Sequence, residues 1–60
     1  MHAFLGTIMY KHDVFAITDN GDVWRIWCDE YHPMMQRLMG DEDEYYPAIR
    51  LLRAMKDLYR

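Results

Sequence analysis

The sequence predicts an α+β fold: a three-stranded antiparallel β-meander followed by two helices (β-β-β-α-α), with both helices packed on one sheet face. Three observations lead there. Asn20-Gly21 stands between two apolar runs, and that dipeptide is the strongest short hairpin signal. The stretches DEYHPMMQRL and DEYYPAIRLL repeat Asp, Glu, Tyr and Pro fourteen residues apart, in an order that suits a helix start. The C-terminal segment carries apolar residues at helical spacing.

Residues 3–11, AFLGTIMYK, are rich in strand formers and short for a helix. His12-Asp13 reads as a turn, VFAIT as a second strand over 14–18, and VWRIWC as a third over 23–28. A two-residue Asn20-Gly21 loop sets Ile17 opposite Trp24 and Phe15 opposite Ile26. The core face then gathers Phe4, Ile8, Tyr10, Phe15, Ile17, Trp24 and Ile26. A three-residue loop with a glycine bulge is the competing geometry, and it turns the third strand over.

In both copies of the repeat, Asp stands where an N-cap belongs and Glu falls where a helix dipole favours negative charge. Pro comes early, where its missing N–H costs little. The first helix spans about 33–39, with Met34, Met35, Leu38 and Met39, and Gly40 closes it. The second spans about 44–59, with Ala48, Leu51, Leu52, Met55, Leu58 and Tyr59 on one stripe.

Sixty residues make a single domain, 1–60, with a marginal core that small scaffolds usually reinforce. One cysteine, Cys28, excludes an intrachain disulfide and suits a reducing compartment. No apolar run approaches the ~20 residues of a membrane helix, and MHAFLGTIMY lacks the basic start of a signal peptide. The expectation is a complete small reading frame with a cytoplasmic product and no membrane association. The net charge of −3 divides unevenly: residues 1–44 hold three bases and nine acids, residues 45–60 four bases and one acid. Such asymmetry suggests a charged partner or a basic helix folded on an acidic body.

Catalytic chemistry finds little support. There is no serine and no Gly-rich phosphate loop, and a chain this short has few places for a water-excluding cleft around Cys28. Cys28 and His32, with His12, Asp29 and His2, make one close pair where structural zinc asks for two, so neither a metal nor a cofactor is expected. TDNGD lacks the spacing and terminal Glu of a calcium loop and reads as a hairpin turn.

Three surfaces remain as candidates for binding. The outer sheet face, with Leu5, Met9, Val14, Val23 and Trp27, is far more apolar than a solvated face should be. The acidic run Asp41, Glu42, Asp43 and Glu44 exceeds what capping needs and offers an anionic surface to a basic protein, although a solvated loop explains it as well. Arg50, Arg53, Lys56 and Arg60, near Tyr45, Tyr46 and Tyr59, form a basic helix face that suits nucleic acid. The pI of about 5.4 argues against that last use.

The function expected is a small non-enzymatic protein-binding module. A phage- or mobile-element-type inhibitor fits the profile, masking a host protein's functional surface by steric or acidic, nucleic-acid-mimicking contact. The partner is then another protein, such as a nucleic-acid-binding enzyme, and a homodimer through the sheet face would supply the missing core. The alternative is a small nucleic-acid-binding protein using the Arg face.

Overall fold

The computed structural model describes residues 3–39 and 43–58. It contains four strands and one long helix: β1 (Phe4–Tyr10), β2 (Asp13–Thr18), β3 (Val23–Asp29) and β4 (His32–Leu38), then a 3₁₀ turn (Asp43–Tyr45) leading into α1 (Tyr46–Leu58). The strands form one antiparallel meander in the order β1-β2-β3-β4. The α+β class stands, but the β-β-β-α-α order is overturned, because the segment expected as the first helix, 33–39, is the edge strand β4.

The physical reason lies at Glu30-Tyr31. Both residues have positive φ, 46° and 75°, which is the backbone of a type I′ turn. Asp29 therefore pairs with His32 across a hairpin and does not cap a helix. From there PMMQRL alternates along β3, and seven pairs from Asp29↔His32 to Val23↔Leu38 stabilise it. A seven-residue helix beginning at Pro33 offers little in competition, since short helices are marginal without tertiary support. Pro33 is tolerated because of where it falls. The pair closing a two-residue hairpin exchanges backbone hydrogen bonds, so alternation turns the N–H positions of residues 33, 35 and 37 toward the free edge. The missing N–H of Pro33 is lost where no strand needs it.

The second copy of the repeat does enter a helix. Asp43–Tyr45 forms the 3₁₀ turn, and Pro47 lies in the first turn of α1, where N–H groups are unpartnered anyway. The buried side of α1 is Ala48, Ile49 and Leu52. The expected stripe is thus rotated: Ile49 is in, while Leu51 and Leu58 stay exposed. Gly40 and Tyr59, expected to end the two helices, lie outside the described residues.

Two loops reset the registers. The first turn is Lys11-His12, both at positive φ, so Tyr10 pairs with Asp13 and Ile8 with Phe15. This shifts the expected pairs by two and leaves the side chains from Gly6 to Ile17 on their expected faces, while the bulge at Leu5 carries Phe4 from the expected core face to the opposite one. The second loop is the three-residue form, Asp19-Asn20-Gly21, with Gly21 at φ 95°. Gly21 donates to the Thr18 carbonyl at 3.0 Å, and Thr18 donates to the Asp22 carbonyl at 2.8 Å. Ile17 therefore pairs with Val23 and Ala16 with Trp24. A slip of one residue inverts a strand, and β3 is turned over relative to the expected register.

Candidate functional site

The inverted β3 decides what each face of the sheet carries. Phe15, Ile17, Val23 and Leu38 face α1 and form the core with Ala48, Ile49 and Leu52. Tyr45 extends it, its ring 5.3 Å from that of Phe15, and Tyr10 meets Phe15 edge-on at 6.1 Å. Arg25 shares this face. Its Nε donates to Asp13 Oδ2 at 2.6 Å, and its guanidinium lies 4.0 Å from the Trp27 ring centre and 5.2 Å from that of Tyr45. An Arg so held contributes packing as well as charge.

No described helix covers the opposite face. The register places Met9, Val14, Ala16, Trp24, Ile26 and Met35 there, with Thr7, Cys28, Pro33 and Arg37 among them. Phe4 joins through its pairing with Thr18. Met9 is 77% exposed, Met35 53% and Phe4 47%. Among the described residues, Arg37 is the single charged side chain of the strands on this face, and its guanidinium lies 3.8 Å from the Asp22 carboxylate. An antiparallel sheet with one solvated face normally alternates apolar and polar residues along each strand. Here β3 alternates between two sides that are both largely apolar.

Of the outer-face residues expected from the sequence, Met9 and Val14 lie on the open face. Val23 and Trp27 do not: the glycine-bulge loop carries them to the helix side, Val23 into the core and Trp27 beneath Arg25. Trp24 and Ile26, expected in the core, take their places. Leu5 is the extra residue of a β-bulge between Phe4 and Gly6, half-buried and without a cross-strand partner. The signal that could have identified Trp24 and Ile26 was Asp19-Asn20-Gly21 itself, a sequence equally suited to the three-residue loop.

Asp41 and Glu42 lie outside the described residues, Asp43 opens the 3₁₀ turn, and Glu44 is exposed. On α1, Arg50 and Arg53 are exposed and Lys56 is half-buried, while Arg60 is outside the described residues. Arg50 lies 5.7 Å from the Tyr46 ring centre. Arg53 lines an open cleft of about 190 Å³ with Asp22, Val23, Arg37 and Leu38. Cys28 pairs with Pro33 and Asp29 with His32, so Cys28 and His32 sit on opposite faces despite their close spacing. Among the described residues, no three His, Cys, Asp or Glu side chains gather to hold a cation, and no helix is long and apolar enough to cross a membrane. No family model, curated protein or solved structure matches the chain.

Proposed function

We propose that this chain is a non-enzymatic protein-binding module whose docking surface is the uncovered sheet face. One observation carries the reading: across all four strands that face presents Met, Val, Ile and Trp side chains, with Arg37 as its single charge among the described residues. Contiguous apolar surface of this kind marks interaction sites, and Trp, Met and Arg are enriched in interface cores. The mode of action is steric: the open sheet face laid over a partner's functional surface masks it, as a small inhibitor would.

Nucleic-acid contact through Arg50, Arg53 and Lys56 is the weaker reading. Arg50 rests against Tyr46, Lys56 is half-buried, and Arg53 opens onto a cleft that also holds Asp22. The docking reading is tested by affinity capture from the native host, using the wild-type chain and the Met9→Lys, Met35→Lys double variant. A captured protein lost from the variant supports it. Identical captured sets from two folded baits would sink it.

A further inference from the structure

We propose that the open sheet face binds a second copy of this chain, giving a two-fold helix–sheet–sheet–helix sandwich. The inference rests on the docking reading above and names what docks.

Charge is the first argument. The chain carries −3 overall, so two copies repel on average. Yet among the described residues the open face holds only Arg37, with the Asp22 carboxylate beside it. A two-fold interface sets identical patches against each other, which requires a patch with no uncompensated charge of one sign. The Asp13–Arg25 pair is on the covered face, Asp29 and Glu30 are at the β3–β4 tip, and Arg50 and Arg53 are on the helix. The face therefore gives an oppositely charged partner little to recognise, and a second copy meets on it no charge beyond the Arg37–Asp22 pair.

Area is the second. Four strands at ~4.8 Å spacing and about 24 Å long give a footprint of roughly 450 Å² per copy. Two such footprints reach about 900 Å², just under the ~1,000 Å² that a specific, stable interface should clear, which places the dimer among weak, transient ones.

The third argument is the core. Among the described residues it holds seven buried side chains, three of them from the helix. Small domains commonly add to such a core by association. Stacking two sheets with their strands about 30° apart would enclose Val14, Trp24 and Ile26 in a second dry layer.

The test is sedimentation velocity of the purified chain from about 1 to 200 µM, a span that reaches the weak association expected of so small an interface. The expected result is a concentration-dependent shift from monomer to dimer. A Trp27→Phe variant leaves Trp24 as the sole indole, and its emission should move to the blue in step with that shift. Met9→Lys and Met35→Lys, both at well-exposed positions, should keep the circular dichroism spectrum and weaken dimerisation at least ~10-fold. Should either variant misfold, Thr7→Lys on the same face replaces it. A wild-type chain that stays monomeric throughout overturns the proposal, as does a dimer indifferent to all three substitutions. The outcomes also separate the two readings. Monomer with face-dependent capture of another protein removes only the second copy. Monomer with face-independent capture removes the docking surface too.

Discussion

Beneath the helix, the sheet sets Phe15, Ile17, Val23 and Leu38 against Ala48, Ile49 and Leu52, and still accommodates the Asp13–Arg25 ion pair. On its other side it carries Val14, Trp24, Ile26 and Met35, with no described element above them and no acid among the described strand residues of that face. The covered face is thus the one with more charge. The difference teaches that apolar content does not decide which face a helix covers. Coverage is set by where α1 can reach: it packs chiefly against β1 and β2, and of β4 only Leu38 is buried in the shared core. On the open face, Ala16 is fully buried among its neighbours, while Met9 and Met35 remain exposed.

The sharpest way to break this comparison is to truncate one large side chain on each side. Phe15→Ala or Ile49→Ala removes a fully buried side chain and should cost about 2–5 kcal/mol. A core this small supplies little more than that, so both variants should be largely unfolded at 25 °C by circular dichroism. Met35→Ala on the open face should change the stability of the dilute monomer in urea by less than ~0.5 kcal/mol. Equal costs on the two sides would mean that the open face is packed within a single chain.

Arg25→Ala comes next. It removes the partner of a mostly buried Asp13 and the group between Trp27 and Tyr45. A loss of about 1–3 kcal/mol in urea unfolding is expected, below the range for a fully buried pair because both side chains retain some solvent contact. Arg25→Met, which keeps the aliphatic stem, should recover part of it. If both variants unfold together with the wild type, Arg25 contributes nothing to the covered face.

The difference between the faces was only half legible in the sequence, for a specific reason. Strand alternation in VFAIT and VWRIWC was clear, and Phe15 and Ile17 were placed on the core face they occupy. Which side of β3 joined them depended on one residue of loop length. Asp19-Asn20-Gly21 satisfies either loop, and local sequence does not rank the two. The repeat was undecidable in a similar way. DEYHP and DEYYP have nearly the same local chemistry, and their downstream neighbours decide their structures: PMMQRL finds β3 as a pairing partner, whereas AIRLLRAMKDL carries its own helical stripe. Tertiary pairing overrode the helix-start signal in one copy, and in the other the chain passes through a 3₁₀ turn into α1, whose first turn holds no acid.

Gly21 is the point at which the two faces are assigned. Its φ of 95° is in the left-handed region, and a Cβ built there meets nothing within 4 Å. Gly21→Ala should therefore cost about 1–2 kcal/mol through backbone strain alone. Asp19→Thr, which favours extending β2 to a two-residue Asn20-Gly21 turn, should set Ile17 opposite Trp24 and drive β3 toward the opposite orientation. Acrylamide quenching reads the change: Trp24 and Trp27 exchange sides, so the single-Trp variants exchange accessibilities. Unchanged quenching in the Asp19→Thr variant would show that side-chain packing, and not the loop, selects the register.

The smallest effect concerns the hairpin beyond the helix. Glu30 and Tyr31 both hold positive φ, a conformation that suits Asn-Gly far better, and Tyr31 is 96% exposed with little packing to offset it. Tyr31→Gly relieves the left-handed strain but gives glycine more freedom to lose on folding, so the net gain should be only about 0.5 kcal/mol. His12→Gly, at φ 69° in the β1–β2 turn, has the same backbone argument and should gain a similar amount. The two turns differ in their surroundings, since β1 and β2 pack against α1 and the β3–β4 tip lies away from it. Equal gains in urea midpoint would make the turns interchangeable pieces of backbone. A loss at Tyr31 alone would mean that its ring packs on something in solution. A second copy seated on the adjoining face would then be the first place to look, by repeating the melt below and above the dimer midpoint.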